Sequence, residues 1–255
     1  MNRVYVIIGI RLNPDDEDRM RNVMVCLRAL REQTARRDSF EILVVEQDTE
    51  SRAQAALEPL CDHYILDVYT DAYNRSRAFN AGVKYVQESN PDMMNILCFL
   101  DSDLLIGKDW IERAVNIFHR KKTAALIPYN LVKYIDEASS ERIAKLGVEN
   151  LDFQSLTAIK NLTSSVGGSM WVRLAHYRIA GGYDERYIGW GCEDQDFFIR
   201  LKQVTKVCRM AYTIYHLNHD RPTVVNDHMK RNLELYKNTW WSKGILSPLG
   251  LEVIE

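Results

Sequence analysis

The sequence predicts an α/β fold with a mostly parallel, Rossmann-like central sheet flanked by helices. Three apolar runs, Val4 to Ile10, Glu41 to Asp48 and Ile96 to Asp103, are nearly continuous, as strands buried on both faces are. Segments of helical period separate them, and the resulting order βαβα…β is the pattern of a parallel sheet with crossover helices. The third run ends in Asp101-Ser102-Asp103, and open α/β sheets bind ligands at the carboxyl ends of their strands.

The elements follow in order. Val4 to Ile10 is short for a signal segment and has no small-residue cleavage site after it, so it reads as the first strand. Asp15-Asp16-Glu17-Asp18 opens a helix that runs to about Arg31. The acids suit its positive end, and Arg28 and Arg31 its negative end. No Gly-x-Gly-x-x-Gly follows the first strand, which argues against a dinucleotide site of the usual kind. After the second strand, Ser51 to Leu60 reads as a short helix and Tyr64 to Tyr69 as an edge-like strand. Tyr73 to Gly82 begins a helix that continues to about Glu88 and stops at Asn90-Pro91.

Asp109 to Arg120 reads as an amphipathic helix and Ala124 to Tyr129 as a short strand. Residues 133 to 163 are polar and weakly patterned, with a helical piece at Ser140 to Leu146. They are expected to form an irregular lid over an acceptor. Ser164 to Val172 reads as a strand interrupted by Gly167-Gly168, where a ligand could approach the backbone. Leu174 to Ile179 is a short helix, Cys208 to Tyr215 a strand, Asp227 to Lys237 a charged helix and Leu251 to Ile254 a closing strand.

Composition narrows the function. The chain has 255 residues, 46% hydrophobic and 27% charged, enough for one large α/β domain over 1–255 with a full core. A net charge of -2 supplies no basic field for nucleic acid. The five cysteines, at 26, 61, 98, 192 and 208, make no metal-binding spacing and fit reduced thiols in a cytoplasmic protein. No apolar run reaches the length of a membrane span.

Three stretches carry chemistry. In Gly189-Trp190-Gly191-Cys192-Glu193-Asp194-Gln195-Asp196, the glycines free the backbone for a sharp turn and the acids fall where a helix begins. The acids alone suit a solvated helix N-terminus. With Trp190 beside them they suit a platform for a sugar face with an acid or base alongside. Asp101-Ser102-Asp103 suits a divalent cation carrying phosphates, or equally a loop or cap. His216 and His219, three apart after a strand, can reach one metal if the chain turns between them.

The order of these motifs resembles the GT-A glycosyltransferases, and within them the β1,4-galactosyltransferase family and the related chondroitin-type polymerases. The resemblance rests on Val44 to Gln47, Tyr73 to Gly82, Asp101-Ser102-Asp103, Gly167-Gly168, Gly189 to Asp196, and the pair His216 and His219. Cys192 stands where the family has glycine, Gln195 where it has aspartate, and Gly9-Ile10-Arg11 replaces Pro-x-Arg.

The resemblance implies a GT-A fold with a small antiparallel part near the acceptor site. It implies a nucleotide-binding half over about 1–105 and an acceptor and catalytic half over about 106–255. It further implies an inverting, metal-dependent transfer of a hexose, galactose or N-acetylgalactosamine, from a UDP-sugar to a glycan or lipid-linked acceptor. The metal would be Mn²⁺, with Mg²⁺ the alternative, on Asp103, His216 and His219. Asp194 would be the base, and Glu193 would hydrogen-bond the sugar. Arg11, Gln47, Tyr73, Arg75, Asp101, Gly168 and Trp190 would bind the donor. The setting would be polysaccharide synthesis at the inner face of a membrane. A non-catalytic sugar-nucleotide-binding protein and a metal-dependent nucleotidyltransferase are the other classes compatible with these residues. The absence of a Gly-rich basic loop after the first strand weighs against the nucleotidyltransferase.

Overall fold

The computed structural model describes residues 3–13, 15–121, 123–220, 227–240 and 253–254. The first half alternates: β1 (Val4–Ile10), α1 (Glu17–Arg31), β2 (Phe40–Asp48), α2 (Gln54–Leu57), β3 (His63–Val68), α3 (Arg75–Ser89) and β4 (Ile96–Leu100). Then come β5 (Leu104–Leu105), α4 (Trp110–Lys121), β6 (Ala125–Ile127), β7 (Leu131–Ile135), α5 (Glu137–Leu146) and β8 (Ala158–Thr163). The last are β9 (Ser169–Arg173), α6 (Leu174–Ile179), α7 (Glu193–Val204), β10 (Val207–Met210), β11 (Thr213–His216), α8 (Asp227–Trp240) and β12 (Val253–Ile254). Leu251 and Glu252 of the expected closing strand lie outside the described residues.

Eight strands form the main sheet in the order β12-β10-β6-β9-β4-β1-β2-β3. Only β9 runs against its neighbours, so the sheet is mostly parallel as predicted. The chain moves outward from β1 through β2 to β3, and β4 then returns to the other side of β1. The strand order therefore reverses between β1 and β4, the place where open α/β sheets bind ligands. Asp101 leaves the carboxyl end of β4 there, and Arg11 that of β1. β3 is an edge strand of this sheet, and none of its residues is fully buried, which explains its edge-like pattern.

Four expectations change. Ser51 to Leu60 is only partly α-helical. α2 is four residues long and passes into a 3₁₀ turn at Glu58–Leu60, where Pro59 has no amide to donate. Residues 133 to 163 are ordered rather than irregular: β7 and β8 pair antiparallel across α5. β8 is almost wholly exposed, so its ladder to β7 holds it without any apolar pattern. The apolar run Cys208 to Tyr215 is two strands. β10 lies in the main sheet and β11 in a second, four-stranded sheet of order β5-β11-β7-β8. The chain crosses between the sheets at Ala211-Tyr212, where Asn130 and Tyr212 bond each other's backbone. Finally, Gly167 and Gly168 precede β9 and do not interrupt it.

An aromatic cluster ties the elements that carry the chemistry. Phe79 of α3, Phe99 of β4, Tyr177 of α6, Phe197 of α7 and Tyr183, in the loop between α6 and α7, pack with ring centroids 4.3–5.5 Å apart in most pairs. Such pairs add about 0.5–1.5 kcal/mol each beyond area burial. The start of α7 is therefore fixed against the end of β4.

Candidate active site

The turn before α7 is shaped by its backbone. Gly189 and Gly191 have φ of 73° and 114°, and Cys192, the N-cap of α7, has φ 73°. Cys192 thus adopts a left-handed conformation that glycine takes freely and other residues at a cost of about 1–2 kcal/mol. A side chain on Gly189 would also stand 3.1 Å from Cβ of His228 on α8. The Gly189 amide donates to the Tyr73 carbonyl at 2.9 Å, and Asn232 of α8 donates to the carbonyls of Ile188 and Trp190. Held this way, the Trp190 side chain is 69% exposed.

The three acids of this turn meet different fates. Asp196 is buried, and its carboxylate accepts from Trp240 Nε1 at 2.8 Å and from Arg200 Nε and Nη2 at 2.9 and 2.6 Å. Glu193 is buried and accepts from Arg75 Nη1 at 3.2 Å and the Gly191 amide at 3.1 Å. Burial, then the charge of Asp194, pushes the Glu193 carboxyl up, while Arg75 opposes the shift. Asp194 is half-buried. One oxygen accepts from the Gln195 amide at 2.7 Å. The other faces Gly167 so closely that a Cβ on that glycine would lie 2.3 Å from it. Among the described residues no cation pairs with Asp194.

Arg75, in the first turn of α3, joins this turn to the end of β4. Its Nη1 reaches Glu193, and its Nη2 donates to Asp101 at 2.6 Å and to the Gly167 carbonyl at 2.5 Å. The guanidinium lies over Phe79 at 4.7 Å. Asp101 sits in this crowd, and desolvation raises its carboxyl to about 7. Arg75 pulls the value down and the charge of Asp103 adds to the rise.

Asp103 lies at the start of the short antiparallel pairing of β5 with β11, in which His216 faces Leu104. The Leu217 amide donates to the Asp103 carbonyl at 2.9 Å. Asp103 Oδ2 is 3.3 Å from His216 Nε2 and 3.0 Å from His219 Nε2. Each histidine places its Nδ1 on a carbonyl, His216 on Leu217 at 2.7 Å and His219 on Asp220 at 2.8 Å. A carbonyl only accepts, so each Nδ1 carries a proton, and each ring turns its Nε2 toward the Asp103 carboxylate. With the Nδ1 atoms occupied by carbonyls, the atoms left to face a cation are the two Nε2 and the Asp103 carboxylate. One carboxylate and two imidazoles within 4.8 Å of one another fit a divalent metal. Tyr134 of β7 stacks on His216 at 4.6 Å and steadies its ring.

A model of the family described as "Glycosyltransferase like family 2" matches residues 6–235. The chain belongs to this glycosyltransferase family. Solved structures show the GT-A fold it shares. S. aureus TarS is 15% identical, with a TM-score of 0.59 over 92% of this chain and 43% of that one. A TarS 1-349 complex with UDP-GlcNAc is 13% identical, with a TM-score of 0.62 over 92% of this chain and 66% of that one. The catalytic domain of Drosophila β1,4-galactosyltransferase 7, in complex with xylobiose, is 17% identical. Its TM-score is 0.52 over 91% of this chain and 79% of that one. The chain thus spans less than half of the first of these TarS chains. No curated protein sequence matches.

Against this glycosyltransferase fold, the residues singled out in the sequence fall into two sets. Asp101, Asp103, Arg75, Glu193, Asp194, His216 and His219 form one connected group, with Tyr73 attached through Gly189. The Tyr73 hydroxyl lies against Gly9, where a Cβ would be 2.5 Å away. Gln47 is fully buried. Its amide donates to Asp67 and to the Asn74 carbonyl and accepts from the Asn74 amide, so it supports the start of α3. Arg11 donates to the Asp71 carbonyl. Gly168 gives its amide to the Tyr129 hydroxyl and its carbonyl to the Asp101 amide, so its backbone is engaged within the chain. The close approach expected at the glycine pair occurs at Gly167, and what approaches is Asp194. Sequence reasoning missed Tyr134, hidden in a stretch read as irregular, and of the glycine pair it gave a donor-binding role to Gly168 and none to Gly167.

Proposed function

We propose that this domain is an inverting, metal-dependent hexosyltransferase that moves a sugar from a UDP-sugar to a hydroxyl of a glycan or lipid-linked acceptor. One observation carries the reading. A single guanidinium, Arg75, joins the Asp101-x-Asp103 end of β4 to the start of α7, where Asp194 is free of any ion pair among the described residues. A phosphate-handling centre and a carboxylate able to accept a proton thus stand one side chain apart.

Asp103, His216 and His219 would hold the cation, and their mixed oxygen and nitrogen donors suit Mn²⁺ better than Mg²⁺. Bound there, a divalent cation supplies the charge neutralisation that a diphosphate leaving group needs. Asp194 accepts the proton of the acceptor hydroxyl as that hydroxyl attacks the anomeric carbon, and a single displacement inverts the centre. Gly167 gives Asp194 room, and Glu193 and Arg75 fix the backbone beneath it. Trp190, exposed on its glycine turn, offers a flat apolar face to a sugar ring. The UDP-GlcNAc complex of TarS supports a UDP-sugar as donor. The family resemblance favours galactose or N-acetylgalactosamine.

UDP release tests the reading, measured over a panel of UDP-sugars with Mn²⁺, with and without sugar acceptors. Acceptor-dependent release that stops in EDTA and returns with Mn²⁺ is expected. Full activity in chelator, or release from no donor, refutes it.

A further inference from the structure

We infer that Asn22, Arg21 and Ser140 are positioning residues for the cation ligands. They hold the Leu217-Asn218 segment and, through it, both imidazoles. The inference rests on the proposed role of Asp103, His216 and His219.

The segment between the two histidines belongs to no helix or strand, yet its backbone is fully engaged. The Leu217 amide donates to Asp103 and the Leu217 carbonyl accepts from His216 Nδ1. The Asn218 amide donates to Ser140 Oγ of α5 at 2.8 Å. The Asn218 carbonyl accepts from Asn22 Nδ2 at 2.9 Å and Arg21 Nη2 at 2.7 Å, both on α1. One residue beyond His219, the Asp220 carbonyl takes His219 Nδ1 and Arg19 Nη2.

Asn22 and Ser140 are buried, at 1% and 0% exposure, and a buried amide or hydroxyl is costly unless hydrogen-bonded. Asn22 interrupts the apolar face of α1 at the point where it reaches Asn218. Ser140 donates to the Asp136 carbonyl, which leaves its lone pairs to receive the Asn218 amide. If the 217–218 peptide turns, His216 loses the carbonyl that fixes its proton on Nδ1, and its Nε2 no longer aims at Asp103. Partners that orient a ligating histidine in this way are typically worth about 10–100-fold in metal affinity.

The test is a Mn²⁺ titration of the whole chain followed by EPR, with and without UDP, together with the visible spectrum of the Co²⁺-loaded protein. The variants are Asn22→Leu, Ser140→Ala and Arg21→Met, with His216→Ala as the control for the site. Asn22→Leu is expected to weaken Mn²⁺ by about 10–100-fold and to shift the Co²⁺ bands, while melting in EDTA changes little. Ser140→Ala and Arg21→Met move the same way. Loss of the Arg21 charge alone would favour a cation, so weaker binding there reads the lost hydrogen bond. If Asn22→Leu does not fold, the other two variants decide. Parent-like Mn²⁺ affinity and Co²⁺ spectra in the variants, with binding that still depends on His216, overturn the inference and leave the metal site standing. A parent that binds no Mn²⁺ in either condition, or binds it equally well as His216→Ala, overturns the site and the inference together.

Discussion

Replacing Asp194 by Asn separates two roles that differ greatly in size. As a helix-start acid, Asp194 contributes about 0.3–1 kcal/mol to stability. Asn keeps an oxygen to accept from the Gln195 amide and an NH₂ group of similar size to face Gly167, so even this is largely retained. In a chain of this length about 1 kcal/mol moves the melting temperature by about 2–4 °C, which sets the upper bound on the expected shift. As a general base, by contrast, the carboxylate contributes about 10²–10⁴-fold in rate, or about 2.7–5.5 kcal/mol of barrier. The assay is initial-rate UDP release at saturating Mn²⁺, donor and acceptor, with UDP binding and thermal melting measured on the same preparation. The expected result is a fall of at least about 100-fold in transfer with UDP binding and melting nearly unchanged. Asp196→Asn is the converse control, because its carboxylate is saturated by Arg200 and Trp240. It should lower the melting temperature while the folded fraction still transfers. Transfer by Asp194→Asn at near the parent rate would place the base elsewhere.

Three other substitutions test the neighbours of Asp194. Gly167→Ala adds a Cβ 2.3 Å from the Asp194 carboxylate and must displace it. Transfer should fall by about 10-fold or more with Mn²⁺ affinity unchanged, and a parent-like rate would show that Gly167 does not position the base. Glu193→Gln tests the raised carboxyl. The folded state binds the proton more tightly than the unfolded state, so parent stability is fully present below the unfolded value of about 4.3 and declines as pH rises above it. Melting curves from pH 4 to 8 should therefore show the parent losing ground to Glu193→Gln as pH rises, and parallel curves would contradict the shift. Arg75→Ala leaves Asp101 and Glu193 without their shared cation, so it should lower the melting temperature as well as weaken UDP binding. Loss of UDP binding with no change in melting would argue against the bridging role.

The sequence by itself determined the alternation of buried strands and helices. Val4 to Ile10 and Ile96 to Leu100 are apolar on both faces, and a sheet covered by helices on both sides accommodates such runs. The acids at Glu193 and Asp194, the pair Asp101 and Asp103, and the pair His216 and His219 were equally legible, because each lies within a few residues of its partner. Contacts across long separations were not legible. Nothing local joins Arg75 to Glu193, 118 residues away, or His219 to Asp103, 116 residues away. Nor does local sequence say that Cys208 to Tyr215 divides between two sheets, since an apolar run looks the same whichever sheet buries it. β8 has no pattern to read, because hydrogen bonds to β7 hold it and burial does not. The same holds within the acidic turn. Glu193, Asp194 and Asp196 are all acids in one short turn, and only the packing of Arg75, Gly167, Arg200 and Trp240 around them leaves Asp194 as the carboxylate with no cation partner among the described residues.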